Sequence, residues 1–128
     1  MPHTFYYNPE THIIELKAHG TMTLDEFKEI VSEGMQLAKE KHCILFLNDF
    51  REATKIELTT MKIFGMAQII TNVAALLGLP THKLKRANVI TPKHAVDARF
   101  AEDTLVNRGQ TTRFFLDIEE AKKWLQDE

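Results

Sequence analysis

The longest stretch with one consistent apolar pattern runs from Leu58 to Pro80, and its only charge is Lys62. It is too long for a strand, and its apolar residues recur at helical rather than alternating spacing. On a wheel of about 3.6 residues per turn, Ile63, Met66, Ala67, Ile69, Ile70, Val73, Ala74 and Leu77 fill a broad apolar arc. The other arc holds Thr60, Phe64, Gln68, Thr71, Asn72 and Leu76 and carries no charge. A helix face that meets only water usually does carry charge. This face is therefore expected to lie under the loop Phe50–Glu57 or the last helix, or to meet a partner.

The flanking segments alternate between strand and helix patterns. Thr4–Asn8 reads as an aromatic-rich strand, and Asn8-Pro9-Glu10-Thr11 as a turn. His12–Ala18 alternates, with Ile14, Leu16 and Ala18 on one side and Ile13, Glu15, Lys17 and His19 on the other. The two strands are expected to pair as an antiparallel hairpin. Gly20 and Thr21 end that run, and Thr23-Leu24-Asp25-Glu26 has the form of a capping box. The helix it opens has a dry side of Leu24, Phe27, Ile30, Val31 and Ala38. Gly34 falls in that arc, where helix and sheet backbones are expected to approach.

Cys43–Leu47 is continuously apolar, as suits a strand covered on both faces. Asn48 to Glu52 end it, and a loop leads into the central helix, which stops at Gly78-Leu79-Pro80. Ala87–Ile90 is the next strand. Thr91 and Pro92 suggest an N-cap and first turn for a helix over Lys93–Arg108. Arg113–Leu116 is the last strand, and Asp117 opens a short final helix docked by Ala121, Trp124 and Leu125. The order β-β-α-β-α-β-α-β-α predicts an α/β fold. Its single five-stranded sheet is mainly parallel, with an antiparallel first strand and right-handed crossovers.

Length and composition narrow the picture. With 128 residues, residues 1–128 are expected to form one domain around one core. The net charge of −2 supplies no general field for nucleic acid. The single cysteine, Cys43, makes no internal disulfide, and the first residues lack a signal-peptide pattern, so a cytoplasmic protein is expected. Leu58–Pro80 approaches the length of a membrane span, but Gln68, Thr71 and Asn72 argue against lipid contact.

The element order resembles that of the STAS-like (SpoIIAA-like, anti-anti-sigma-factor-like) superfamily, and within it a small stand-alone bacterial group. The resemblance covers nearly the whole chain. Its most telling pieces are Leu47-Asn48-Asp49-Phe50-Arg51 and the ending Phe114-Phe115-Leu116-Asp117-Ile118-Glu119-Glu120-Ala121 with Trp124-Leu125. It implies a non-enzymatic binding or regulatory domain. Structural similarity of the superfamily to lipid-carrying domains adds an apolar ligand as an alternative. Regulatory members carry a phosphorylatable Ser after the strand matching Cys43–Leu47. Here the only serine is Ser32, on the first helix, so a phosphate switch would fall to Thr54, Thr59 or Thr60.

Strand carboxyl ends in open α/β sheets are where ligands sit. They supply Asp49, Arg51, Thr91, Lys93 and His94 as a candidate binding edge. The bland account is that Asp49 and Arg51 pair, Thr91 and Asp117 cap helices, and Lys93 and His94 are solvated. Thr60, Phe64, Gln68, Thr71 and Leu76 are the candidate surface for a protein partner or self-association. The cluster His82-Lys83-Leu84-Lys85-Arg86 lacks interleaved aromatics and reads as a solvated strand entrance. His12, Glu15, His19, His42 and Cys43 show no metal-ligand spacing, and no cofactor motif is present.

Three functional readings follow. The first is a binding domain working through the central helix and the loop after the third strand. The second is a carrier or sensor of a small apolar ligand held between the central helix and the sheet, which requires an internal cavity. The third is an enzyme using Asp49, Arg51 and His94, which requires those side chains within hydrogen-bond reach.

Overall fold

The computed structural model describes residues 3–56 and 60–127, leaving out the side chains at 55 and 60–62. The five strands are β1 (His3–Asn8), β2 (Ile13–Met22), β3 (Leu45–Ile56), β4 (Lys85–Val89) and β5 (Thr111–Phe115). They form one sheet in the order β1-β2-β3-β4-β5. β1 is antiparallel to β2, and the other pairings are parallel. The helices are α1 (Leu24–Lys41), α2 (Thr60–Leu77), α3 (Ala95–Asn107) and α4 (Ile118–Gln126). The expected α/β architecture is therefore the observed one.

The strand order fixes where the helices lie. From β2 to β5 the sheet grows in one direction, so right-handed crossovers put all three intervening helices on the same face. Ile14 and Phe46 of the sheet pack there with Val31 and Met35 of α1, Ala67 and Ile70 of α2 and Leu105 of α3. α4 lies on the opposite face, where Ala121 and Leu125 pack on Ile13, Leu47, Ala87 and Val89.

Local chemistry sets the helix ends. Thr23 Oγ1 accepts from the Glu26 N–H at 3.1 Å, which is half of the expected capping box. The Glu26 carboxylate instead stands 3.9 Å from His3. α2 closes with the Leu79 N–H on the Ala74 carbonyl (2.8 Å) and the Gly78 N–H on Ala75 (3.2 Å). That Schellman arrangement needs the left-handed φ of 71° at Gly78. Asp117 caps α4 by accepting from the Glu119 N–H at 2.7 Å.

The structure corrects four expectations. β3 begins at Leu45, after Cys43, and continues to Ile56, so Phe50–Ile56 is strand rather than loop. It is paired with an equally extended β2, through Glu52 on His19, Ala53 on Gly20 and Ile56 on Met22. Gly20 and Thr21 accordingly do not end β2. The register shifts between Lys17 and His19 and between Gly20 and Thr21, and Gly20 has φ 80°. That is a bulged edge continuing the pair. Thr91 makes no capping bond with its side chain, and a 3-10 turn over Pro92–His94 precedes α3. His94 is buried in that turn at φ −105°, ψ 7°, outside helical geometry. Finally, the neighbour that explains Gly34 is a side chain. A Cβ there would stand 3.1 Å from the Phe5 ring, with no sheet backbone among its nearest atoms.

An L residue forced to the φ of Gly20 incurs about 1–2 kcal/mol. Gly20→Ala is expected to lower the unfolding free energy by about that amount. Urea denaturation checks it through a lower midpoint at unchanged slope.

Candidate functional site

Alternation along the strands splits the candidate residues between the two faces of the sheet. In β3, Leu47 and Asp49 point toward α4, while Phe46, Asn48 and Phe50 point toward the three-helix face. The Asp49–Arg51 pair is therefore on the sparsely covered side. Arg51 donates through Nε to Asp49 Oδ1 (2.9 Å) and through a terminal nitrogen to Oδ2 (2.8 Å). Its backbone N–H also reaches Oδ1 at 3.1 Å. Burial alone would raise the Asp49 carboxyl. The Arg51 hydrogen bonds and charge, with Lys17 nearby, outweigh it and hold the carboxyl below its ordinary range. The bidentate contact with Asp49 raises the Arg51 guanidinium in turn.

The predicted binding edge does not come together as a hydrogen-bonded unit. Among the described residues, no hydrogen bond or ion pair joins Asp49 or Arg51 to Thr91, Lys93 or His94. Lys93 is exposed, Thr91 half-buried and His94 buried. Cys43 is buried with its thiol donating to the His12 carbonyl at 3.1 Å, and burial pushes its pKa up. Among the described residues no group of three His, Cys, Asp or Glu could hold a metal ion. None of the described helices is long and apolar enough to cross a membrane.

The basic cluster behaves differently from its sequence reading. His82 and Lys83 are exposed in a 3-10 turn. Lys85 and Arg86 are the first residues of β4 and point to opposite faces. Lys85 Nζ donates to the Trp124 carbonyl and, at 3.0 Å, to that of Asp127, lying 4.6 Å from the Trp124 ring centre. It thereby ties off the carboxyl end of α4. Arg86 turns to the three-helix face and is 9% exposed. The cluster is thus not a solvated entrance, because half of it lies inside a strand covered on both faces.

A cavity of about 100 Å³ lies on that three-helix face. Ile63, Met66 and Ile70 of α2 form one wall, with Ile30, Val31 and Met35 of α1 beside them. Ala101 and Leu105 of α3 close another side, and Phe5, Phe46, Phe50 and Phe114 contribute rings from the sheet. The polar residues on its lining are Asn48, Arg86, Asn88 and Thr112, all from the sheet. Asn48 donates to Asn88 Oδ1 (2.9 Å), and Asn88 donates to Thr112 Oγ1 (2.8 Å). Arg86 donates to Gln110 Oε1. Its Nε and the Gln110 Nε2 are buried without a hydrogen-bond partner. Burial lowers the Arg86 pKa to about 10, so the group is still charged at neutral pH. Sequence reasoning named Asn48 only as a strand end and missed Asn88, Gln110 and Thr112. Polar residues within strands are the signal that marks Asn88 and Thr112, whereas Gln110 precedes β5 and carries no such mark.

The free arc of α2 is uncovered. Phe64 is 44% and Leu76 85% exposed, and Gln68, Thr71 and Asn72 are exposed too. Gln68 donates to Asn72 at 2.9 Å, Thr71 to the Ala67 carbonyl at 3.0 Å, and the Arg108 guanidinium lies 5.4 Å from the Phe64 ring centre. The Thr60 side chain lies outside the described residues, as does Thr59; Thr54 is an exposed β3 residue rather than a helix start. The stretch expected to cover this arc is instead the end of β3.

No family model matches the chain, and no curated protein does. A solved structure does: an uncharacterized protein from the DUF3478 family of Shewanella loihica PV-4, with a SpoIIAA-like fold. It is 16% identical, with a TM-score of 0.58, and the match covers 96% of this chain and 91% of that one. The fold is SpoIIAA-like. The SpoIIAA-like fold expected from the element order is thereby shown, and at this identity the likeness carries the fold alone. In this chain α2 lies over the cavity, with Phe64 and Leu76 exposed on its outer side.

Asp49 is favoured as an anion in the folded state, so its contribution is present above the unfolded carboxylate range and is lost as pH falls through its lower folded value. Arg51 is 41% exposed, and water screens the pair. Asp49→Asn is expected to lower stability by about 0.5–1 kcal/mol at pH 7. In denaturation curves taken from pH 7 to pH 3, the gap to the native protein should shrink with falling pH.

Proposed function

We propose that this SpoIIAA-like domain works by binding, taking a small apolar ligand into the cavity between α2 and the sheet. The observation that carries the reading is the cavity itself, a void under the helix around which the chain is organised. Interiors normally pack with few voids larger than a water molecule. An apolar cavity of about 150 Å³ stays dry and binds benzene. A space of about 100 Å³ therefore suits a ligand of similar or smaller size, or a somewhat larger one if α2 yields.

A second surface supports a sensor rather than a bare carrier. One side of α2 lines the cavity through Ile63, Met66 and Ile70, while the other presents Phe64, Gln68, Thr71 and Leu76 to solvent. A partner or a second copy seated on that outer side would contact a helix whose position depends on cavity occupancy. Asp49 and Arg51 are read as a clamp on β3, and Thr91, Lys93 and His94 as the turn into α3, with no bond-making role.

Titration with 1-hexanol or benzene, followed by methyl NMR, is expected to shift Ile63, Ile70 and Leu105 and to leave surface methyls unmoved. Ala101→Leu, which places three more carbons on the cavity wall, is expected to abolish those shifts and leave the fold intact. Absence of shifts at millimolar probe would sink the ligand reading. For the outer face, sedimentation is expected to show a concentration-dependent mass that Leu76→Glu removes. A single mass at all concentrations would leave a heterologous partner as the only occupant of that face.

A further inference from the structure

We propose that the cavity ligand is a short apolar monoanion, its carboxylate held by Arg86 and its tail lying among the α1, α2 and α3 side chains. The inference rests on the reading of the cavity as a ligand site. Arg86 is buried on the cavity lining, and among the described residues no carboxylate pairs with it. A guanidinium offers five N–H donors. The described hydrogen bonds use one nitrogen, on Gln110 Oε1, and leave Nε without a partner. The adjacent Gln110 Nε2 is unpartnered as well. Both orphaned atoms are donors. On the cavity lining itself the orphaned donor is the Arg86 Nε; a group that only accepts, such as a carboxylate, satisfies it, whereas an alcohol or amine would bring further donors.

Charge and size narrow the class further. One buried cation balances one negative charge. A phosphate monoester would bring up to two, leaving excess charge among mostly apolar side chains. A planar carboxylate also matches the two-pronged donor geometry of a guanidinium. The void of about 100 Å³ limits the tail to a short one. The rest of the polar strip is already engaged, since Asn48, Asn88 and Thr112 bond one another. Among the described residues, Arg86 therefore stands out as the group on the cavity wall without a carboxylate partner.

Calorimetric or NMR titration of the full chain at pH 7.5 with hexanoate, 1-hexanol and hexylamine tests this. Hexanoate is expected to bind at least tenfold tighter than hexanol, and hexylamine not to bind. Arg86→Met is expected to bring hexanoate to the level of hexanol or below while hexanol binding persists, which also reports that the variant is folded. If native protein binds hexanol as tightly as hexanoate, the anion assignment is overturned and the cavity reading stands. If neither binds, the cavity reading fails and this inference with it. The comparison on native protein decides the matter even if the variant does not fold.

Discussion

Handedness is the constraint on which this structure depends. β2 to β5 are laid down in sequence order across the sheet, each joined to the next by a helix. A right-handed crossover repeated in one direction places every connecting helix on one face. Three helices therefore crowd one side, and the other would be bare without α4 returning under β3 and β4. The cavity, the buried polar strip and the free helix surface all lie on the crowded side. The bidentate Asp49–Arg51 pair and the Lys17–Glu52 ion pair (3.4 Å) lie on the side where water still reaches the sheet.

That asymmetry also explains which polar residues end up in dry surroundings. β4 lies between β3 and β5 and is covered above and below. Lys85 and Arg86 are neighbours in sequence, yet one reaches the carbonyls at the end of α4 and the other enters the space beneath α2. The period of two along a strand makes that separation unavoidable. A buried polar group without a partner carries a desolvation penalty of about 1–3 kcal/mol. Asn48, Asn88 and Thr112 avoid it by bonding to one another, whereas Arg86 and Gln110 only partly do.

Much of the fold was legible because it rests on periodicity and caps. The α2 stripe predicted from Ile63, Ala67, Ile70 and Ala74 is the buried one, and Thr23, Gly78 and Asp117 stand at the helix ends their chemistry suggested. The extension of β3 was not legible. Asn48, Asp49, Arg51 and Glu52 look like a strand end locally, and only pairing with the bulged continuation of β2 keeps them extended. Tertiary context overrides local propensity there. The site was less legible still. The strand-end rule gathers residues by position along the strand and ignores which face each one takes. It therefore joined Asp49 and Arg51 to residues with which they share no described hydrogen bond or ion pair, and passed over Arg86, which read as part of a charged surface run.

The two sides of α2 then form one argument. A helix with its inner face on a void has fewer neighbours holding it than one set on a filled core, because each missing contact removes dispersion attraction. Its outer face carries Phe64 and Leu76 in water, without the charges that would mark it as a solvent surface. Filling the void would supply the inner contacts and bias where the helix rests. Any molecule docked outside would feel that bias, since coupling between two sites requires only an element whose arrangement both prefer. The same 18-residue helix therefore has one side on the cavity, through Ile63, Met66 and Ile70, and the other in water, through Phe64 and Leu76.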